Sequence, residues 1–152
     1  HAEISLILDS MISFLERESF IYYDFIVVGA GIVGLSTALS VREKSPNASI
    51  AIVEKGMFPT GASTKNAGFA CFGSLTELLA DIRALGDVPT QKLVQTRING
   101  LKKLRKRIGD VNLDYQQNGG YELITKNELG ALQEIERVNS LIQPILHNHT
   151  FQ

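Results

Sequence analysis

The sequence predicts an α/β fold, on three observations. Two short apolar runs rich in β-branched residues stand at 25–28 and 49–53, a helix-length segment from 32 to about 43 lies between them, and a glycine-rich turn joins the first run to that segment. A continuous apolar run of this kind is what a parallel strand buried on both faces requires. Ser45, Pro46 and Asn47 end the helical segment, because proline cannot continue a helix and the polar residues favour a turn. The order is therefore strand, tight turn, helix, strand.

Ahead of this unit, Ile4, Ile7, Leu8, Met11 and Leu15 recur at the spacing of one face of an amphipathic helix. Residues 1–22 are read as a helical extension and 23–152 as the domain proper. Beyond the second strand, residues 56–74 lose periodicity and become rich in Gly, Ala, Ser and Thr, which marks a long loop. Ser74 and Glu77 form a capping box that opens a helix to about Leu85. A longer helix is expected over 91–108, capped by Thr90, with Val94, Ile98, Leu101, Leu104 and Ile108 as its buried stripe. The runs 113–115 and 121–124 flank Asn118-Gly119 and predict a β-hairpin. A last helix, capped by Thr125 or Asn127, carries Leu132, Ile135, Val138 and Ile142 on one face and ends before Pro144.

The chain has 152 residues, 44% of them hydrophobic, room for at most one domain that would bury roughly 68–70% of its unfolded surface if complete. A formal net charge of -1 provides no basic field for nucleic acid or an anionic membrane, so small molecules are the expected partners. Cys71 is the single cysteine, which excludes an internal disulfide and fits a reducing, cytoplasmic setting. Glu3 and Asp9 interrupt the apolar N-terminus, against a secretory signal, and no run reaches the length of a membrane span. His1 is not an initiator residue; Met11 is a candidate start.

Gly29, Ala30, Gly31, Ile32, Val33 and Gly34 spell G-x-G-x-x-G. At that spacing Gly29 permits the turn out of the strand, Gly31 lets backbone approach a pyrophosphate, and Gly34 lets the helix lie close to the sheet. The helix N-terminus supplies N–H donors and a positive dipole end for phosphates. Glu54 ends the second strand, about 20 residues on, where a carboxylate can accept from adenosine ribose hydroxyls and would repel a 2′-phosphate. The context points to a Rossmann-like dinucleotide site.

NAD and FAD share this fingerprint. An NAD-binding half would continue promptly into another helix and parallel strand, whereas residues 55–69 here form a segment of small residues whose amides can wrap a pyrophosphate and reach toward a bulkier head group. With Gly29–Gly34, Glu54 and the run Ser63-Thr64-Lys65-Asn66-Ala67-Gly68, the chain resembles the N-terminal part of FAD-dependent oxidoreductases of the D-amino-acid oxidase superfamily, which includes glycine oxidase. The resemblance implies FAD as cofactor and Lys55, Ser63, Thr64, Lys65, Asn66, Ala67 and Gly68 as further contacts, around pyrophosphate and ribityl chain. It implies hydride transfer from a small amine or hydroxy acid to flavin, and an incomplete, inactive chain if it stands alone. Family members are more than twice this length, and residues 109–125 resemble the first excursion into their substrate domain.

No residue is assigned as catalytic acid, base or carboxylate-binding arginine, and no oligomeric state is assigned. The alternatives are a non-enzymatic FAD-binding or interaction module and an NAD-linked dehydrogenase fragment. Lys102, Lys103, Arg105, Lys106 and Arg107 crowd one helix end, where they complement the macrodipole as a solvated face rather than bind nucleic acid. His147 and His149 have no acidic or thiol neighbours to complete a metal shell. Cys71 is expected to be a small buried thiol, and Tyr115 and Tyr121 are left without a role.

Overall fold

Strand β1 (Phe25–Val28) and strand β2 (Ile50–Val53) pair in parallel, with Phe25 opposite Ile50 and Val28 opposite Val53. Helix α1 (Ile32–Lys44) makes the crossover between them. The computed structural model describes Ser13, Glu16, residues 22–148 and residues 150–152. The apolar residues of the expected leading helix, Ile4, Ile7, Leu8, Met11 and Leu15, lie outside the described residues. The chain divides into two compact units, residues 1–68 and 69–152.

In the first unit a polar clasp sets the strand register. The Asp24 carboxylate accepts from the Ser49 N–H at 2.8 Å and the Ser49 hydroxyl at 3.0 Å, while the Asp24 N–H donates to Ser49 Oγ at 2.9 Å. Both strands thus begin at one fixed point. α1 runs one residue past its expected end, and its C-cap, Ser45, donates to the Val41 carbonyl at 2.7 Å. The strands were expected to be buried on both faces, and here the described residues leave them open: Val28 is 86% exposed, and Ile26 and Val53 are exposed as well. Two strands and one helix present too little surface to cover both faces of a sheet.

The second unit is helical: α2 (Leu75–Leu85), α3 (Asp87–Ile108), a single turn α4 (Asp110–Leu113), a 3₁₀ segment (Lys126–Glu134) and α5 (Ile135–Leu146). α2 opens with the expected capping box of Ser74 and Glu77. Leu75, Leu78, Leu79, Ile82, Val94, Val138 and Ile142 form its core. Within it the side chain of Asn139, 1% exposed, accepts from the Thr150 and Phe151 N–H groups and donates to the Phe151 carbonyl.

Several elements differ from expectation. α3 starts at Asp87, not Gln91: Gly86, at φ +89, ends α2 and caps α3, and Pro89 falls in the first turn, where no intrahelical N–H is needed. Thr90 is therefore inside the helix, its hydroxyl donating to the Gly86 carbonyl at 2.8 Å. Of the expected stripe, Val94 is buried, Ile98 packs against the core and Ile108 is exposed. α5 passes through Pro144 to Leu146, because the carbonyl that loses its partner belongs to exposed Ser140, where water can replace the N–H. Thr125 opens the 3₁₀ segment, with Glu128 accepting from its N–H and hydroxyl, and Leu132 is exposed there.

The predicted hairpin does not form. Its first arm is wound into α4 and a left-handed Asp114, held by Arg105, which donates twice to Asp110 at 2.7 and 2.6 Å and lies 4.1 Å from the centre of the Tyr115 ring. The second arm is extended but unpaired, with Tyr121 and Leu123 fully exposed and Glu122 turned the other way. Gly119 does adopt the positive φ the turn requires. An isolated two-stranded pair has marginal stability without a third strand or a packed face, and here both arms have stronger polar attachments.

Candidate functional site in the first unit

The glycine turn follows β1 directly. Gly29 has φ +96, a conformation that favours glycine, and its N–H donates to the Val53 carbonyl at 2.7 Å, extending the strand pairing into the turn. A Cβ on Gly34 would lie 1.9 Å from the Gly29 carbonyl oxygen, so only glycine lets α1 pack this closely on the turn it leaves. These two glycines have the geometric roles their spacing predicted.

Gly31 has an additional neighbour. A Cβ there would come within 3.0 Å of the Ser63 hydroxyl oxygen, and that oxygen accepts from the Ile32 N–H at 2.9 Å. Sequence reasoning gave Gly31 to a pyrophosphate alone and missed this pairing, which no local spacing signals. α1 has no cap of its own, since its N-cap is Gly31. The first-turn N–H groups of such a helix are donors without intrahelical acceptors.

Glu54 stands where β2 ends, and its carboxylate accepts from the Ala30 N–H at 2.8 Å. That hydrogen bond holds its carboxyl below the usual carboxylate range; partial burial opposes this, and the N–H groups of Gly56 and Lys55 with the Lys55 charge add to the lowering. The acid is thus ionised and oriented at the turn.

The loop is organised by its own side chains. A 3₁₀ turn at Ala62–Thr64 follows Gly61, and the Thr64 hydroxyl lies within hydrogen-bond distance of the Gly61 carbonyl at 3.1 Å and the Pro59 carbonyl at 3.2 Å. The Asn66 amide donates to the Ser63 carbonyl at 2.9 Å and the Ala62 carbonyl at 3.2 Å, and its oxygen accepts from Gly68, whose φ is +75. Ala30, Gly31, Ile32, Glu54 and Ser63 are thus brought together. Val33, Lys55, Lys65 and Ala67 are exposed at the margin.

Elsewhere, Cys71 is exposed rather than buried, because the neighbouring stretch has no regular structure and its Phe69 is itself exposed. His149 lies outside the described residues, so the His147–His149 pair has no described geometry. In the second unit, sequence reasoning missed Glu122. It accepts from the Ser74 hydroxyl at 2.8 Å, the Leu75 N–H at 2.9 Å, and the Thr76 hydroxyl and N–H, at the N-terminus of α2. Among the described residues no helix is long and apolar enough to cross a membrane.

A family model described as FAD dependent oxidoreductase matches residues 24–147. Over 126 residues the chain is 24% identical to the L-2-hydroxyglutarate dehydrogenase of Indibacter alkaliphilus, which covers 83% of this chain and 28% of that protein. Over 37 residues it is 46% identical to the L-2-hydroxyglutarate dehydrogenases of Salmonella houtenae and Escherichia coli, covering 24% of this chain and 9% of each relative. The chain thus spans little more than a quarter of the first relative's length and less of the others. No solved structure matches it.

Proposed function

The chain belongs to the FAD-dependent oxidoreductase family, and from that premise we propose that the turn Gly29–Gly34, Glu54 and the loop from Lys55 through Ser63, Thr64, Lys65, Asn66, Ala67 and Gly68 hold the dinucleotide end of FAD in a Rossmann-like β-α-β unit. The observation that carries this reading is the 2.8 Å bond from Ala30 N–H to Glu54, which sets a charged carboxylate beside a helix N-terminus whose N-cap residue, Gly31, has no side chain. The residues fit the group. The helix end favours phosphate, and a carboxylate has about four acceptor positions, so Glu54 can hold the turn and still accept from ribose hydroxyls.

Bound there, the flavin supplies hydride acceptance from a carbon bearing a hydroxyl or an amine. This segment's residues bind and orient it. The protein's substrate is a small hydroxy acid or amine, and the names of the relatives favour a 2-hydroxy acid such as L-2-hydroxyglutarate. The single Cys71 fits a reducing, cytoplasmic setting.

The test is a visible absorption spectrum of the protein after adding FAD and removing the free excess, beside Gly31→Asp. A flavin band retained by the wild type and lost by the variant is the expected result. A wild type that retains no flavin would overturn the cofactor reading. Anaerobic bleaching of the bound flavin by L-2-hydroxyglutarate, but not by an amine, would choose the hydroxy-acid class.

A further inference from the structure

Asn118-Gly119 signals a hairpin that does not form, and the pair is left with a different chemistry. The chain has a second Asn-Gly pair, Asn99-Gly100. All of these residues are exposed, so access to water does not tell the pairs apart. Their backbones do.

Asparagine is a thermally labile residue, because its side-chain amide can be lost to the backbone that follows it. The amide nitrogen of the next residue gives its proton to a solvent base and attacks Cγ; a C–N bond forms, the Cγ–Nδ2 bond breaks, and ammonia leaves after taking a proton from water. Water then opens the resulting succinimide at either carbonyl, giving aspartate or isoaspartate with no change of oxidation state. The ring closes when the following N–H is not hydrogen-bonded, the backbone is free to leave the helical conformation, and no side chain crowds the attacking nitrogen, a condition that glycine meets.

Gly100 lies in the interior of α3, where the N–H donates to the carbonyl four residues back, and Asn99 Oδ1 accepts from Gln95 Nε2 at 3.0 Å. The other pair is unrestrained. Residues 115–125 have no regular secondary structure, the Gly119 N–H donates no hydrogen bond among the described residues, and a Cβ on Gly119 would meet nothing within 4 Å. The Asn118 amide donates to exposed Gln116 at 3.1 Å, a bond that ties down neither Cγ nor the Gly119 nitrogen.

We propose that Asn118 is a site of spontaneous deamidation through Gly119, while Asn99 keeps its amide. The product is a carboxylate, and in the isoaspartyl form a lengthened main chain, between two attachments: the Tyr115 N–H on the Asp110 carbonyl at 2.9 Å, and Glu122 on the start of α2. The inference is independent of the cofactor.

The test is timed incubation of the full chain in mildly alkaline buffer, with a parallel incubation in concentrated urea. Peptide mass spectrometry follows both pairs, and enzymatic methylation of isoaspartyl groups identifies the product. In the native protein Asn118 is expected to convert at least about tenfold faster than Asn99, whose helix must first give up the Gly100 hydrogen bond; in urea the two rates should converge. Native conversion at Asn99 as fast as at Asn118, or an Asn118 that converts in urea but not in the native protein, would overturn the proposal. A rate gap that persists unchanged in urea would overturn the structural cause and assign the difference to neighbouring side chains.

Discussion

The carboxylate of Glu54 accepts from the backbone N–H of Ala30 at 2.8 Å, so the acid that ends β2 is fixed to the middle of the glycine turn that leaves β1. The same group therefore holds the turn and faces any ligand lying on it. Glu54→Gln keeps an acceptor for Ala30 but loses the charge, and Glu54→Ala loses both. FAD affinity should fall in that order, by about 10- to 100-fold for alanine, as read by flavin fluorescence titration. Equal affinity in all three proteins would exclude Glu54 from the site.

The ionisation of Glu54 gives this a pH signature. Its carboxyl is lowered by the Ala30 N–H first, against partial burial, with the Gly56 and Lys55 N–H groups and the Lys55 charge assisting. A depressed folded value means that the tie contributes fully above the ordinary carboxylate range and is lost as pH falls through the lowered value. Flavin retention should stay level from neutral pH through that range and decline below it. Glu54→Gln should remove this component of the decline, while Asp24 at the other end of the strand pair, its carboxyl lowered by the Ser49 N–H and hydroxyl, still titrates.

Gly34→Ala is a sharper test of the packing. Its Cβ would meet the Gly29 carbonyl oxygen at 1.9 Å, and neither backbone can yield without moving α1 off the sheet. The expected cost is at least about 1–3 kcal/mol, seen as a lower unfolding temperature without ligand, together with loss of flavin binding. Gly61→Ala, where a Cβ meets nothing within 4 Å and φ is negative, should leave both nearly unchanged.

The β-α-β order was legible because glycine spacing, β-branched runs and a terminal acid are all local signals that agree with one another. The Ser74–Glu77 box was legible for the same reason. What was not legible is long-range: Ser63 meeting Ile32, Asp24 meeting Ser49, and Glu122 meeting the start of α2. The hairpin was misread because Asn118-Gly119 is a sound turn signal, while pairing depends on what else the arms can bind. Arg105 and the α2 N-terminus each capture one arm, and nothing within the arms themselves announces that.

Glu122 should act as an acid-sensitive attachment. Burial pushes its carboxyl up, but the hydroxyls of Thr76 and Ser74 and the N–H groups of Thr76 and Leu75 together lower it further. The net lowering means the attachment is complete above the ordinary glutamate range and released as pH falls through the lowered value. Glu122→Ala should therefore make residues 115–125 open to limited proteolysis at neutral pH, and the wild type should reach the same state only in acid. Equal protection of both proteins at neutral pH would show that the segment is held by something else.

Asn139 offers the clearest stability prediction for the second unit. It is buried, it lies between Val138 and Ile142 of the core, and its amide satisfies two N–H groups and one carbonyl of residues 150–151. Phe151 in turn packs edge-on against Phe72, with ring centres 6.5 Å apart. Asn139→Ala strands those backbone groups, at a cost of about 1–3 kcal/mol, and about 4–8 °C of melting temperature is expected per kcal/mol in a unit of this size. Asn139→Asp retains the acceptor but turns a charged oxygen toward the Phe151 carbonyl, so it should destabilise at least as much as alanine at neutral pH and recover partly in acid, where a protonated carboxyl can donate again. Hydrogen exchange at Thr150 and Phe151 should rise in both variants; slow exchange in Asn139→Ala would mean that Phe151 packing alone holds the tail.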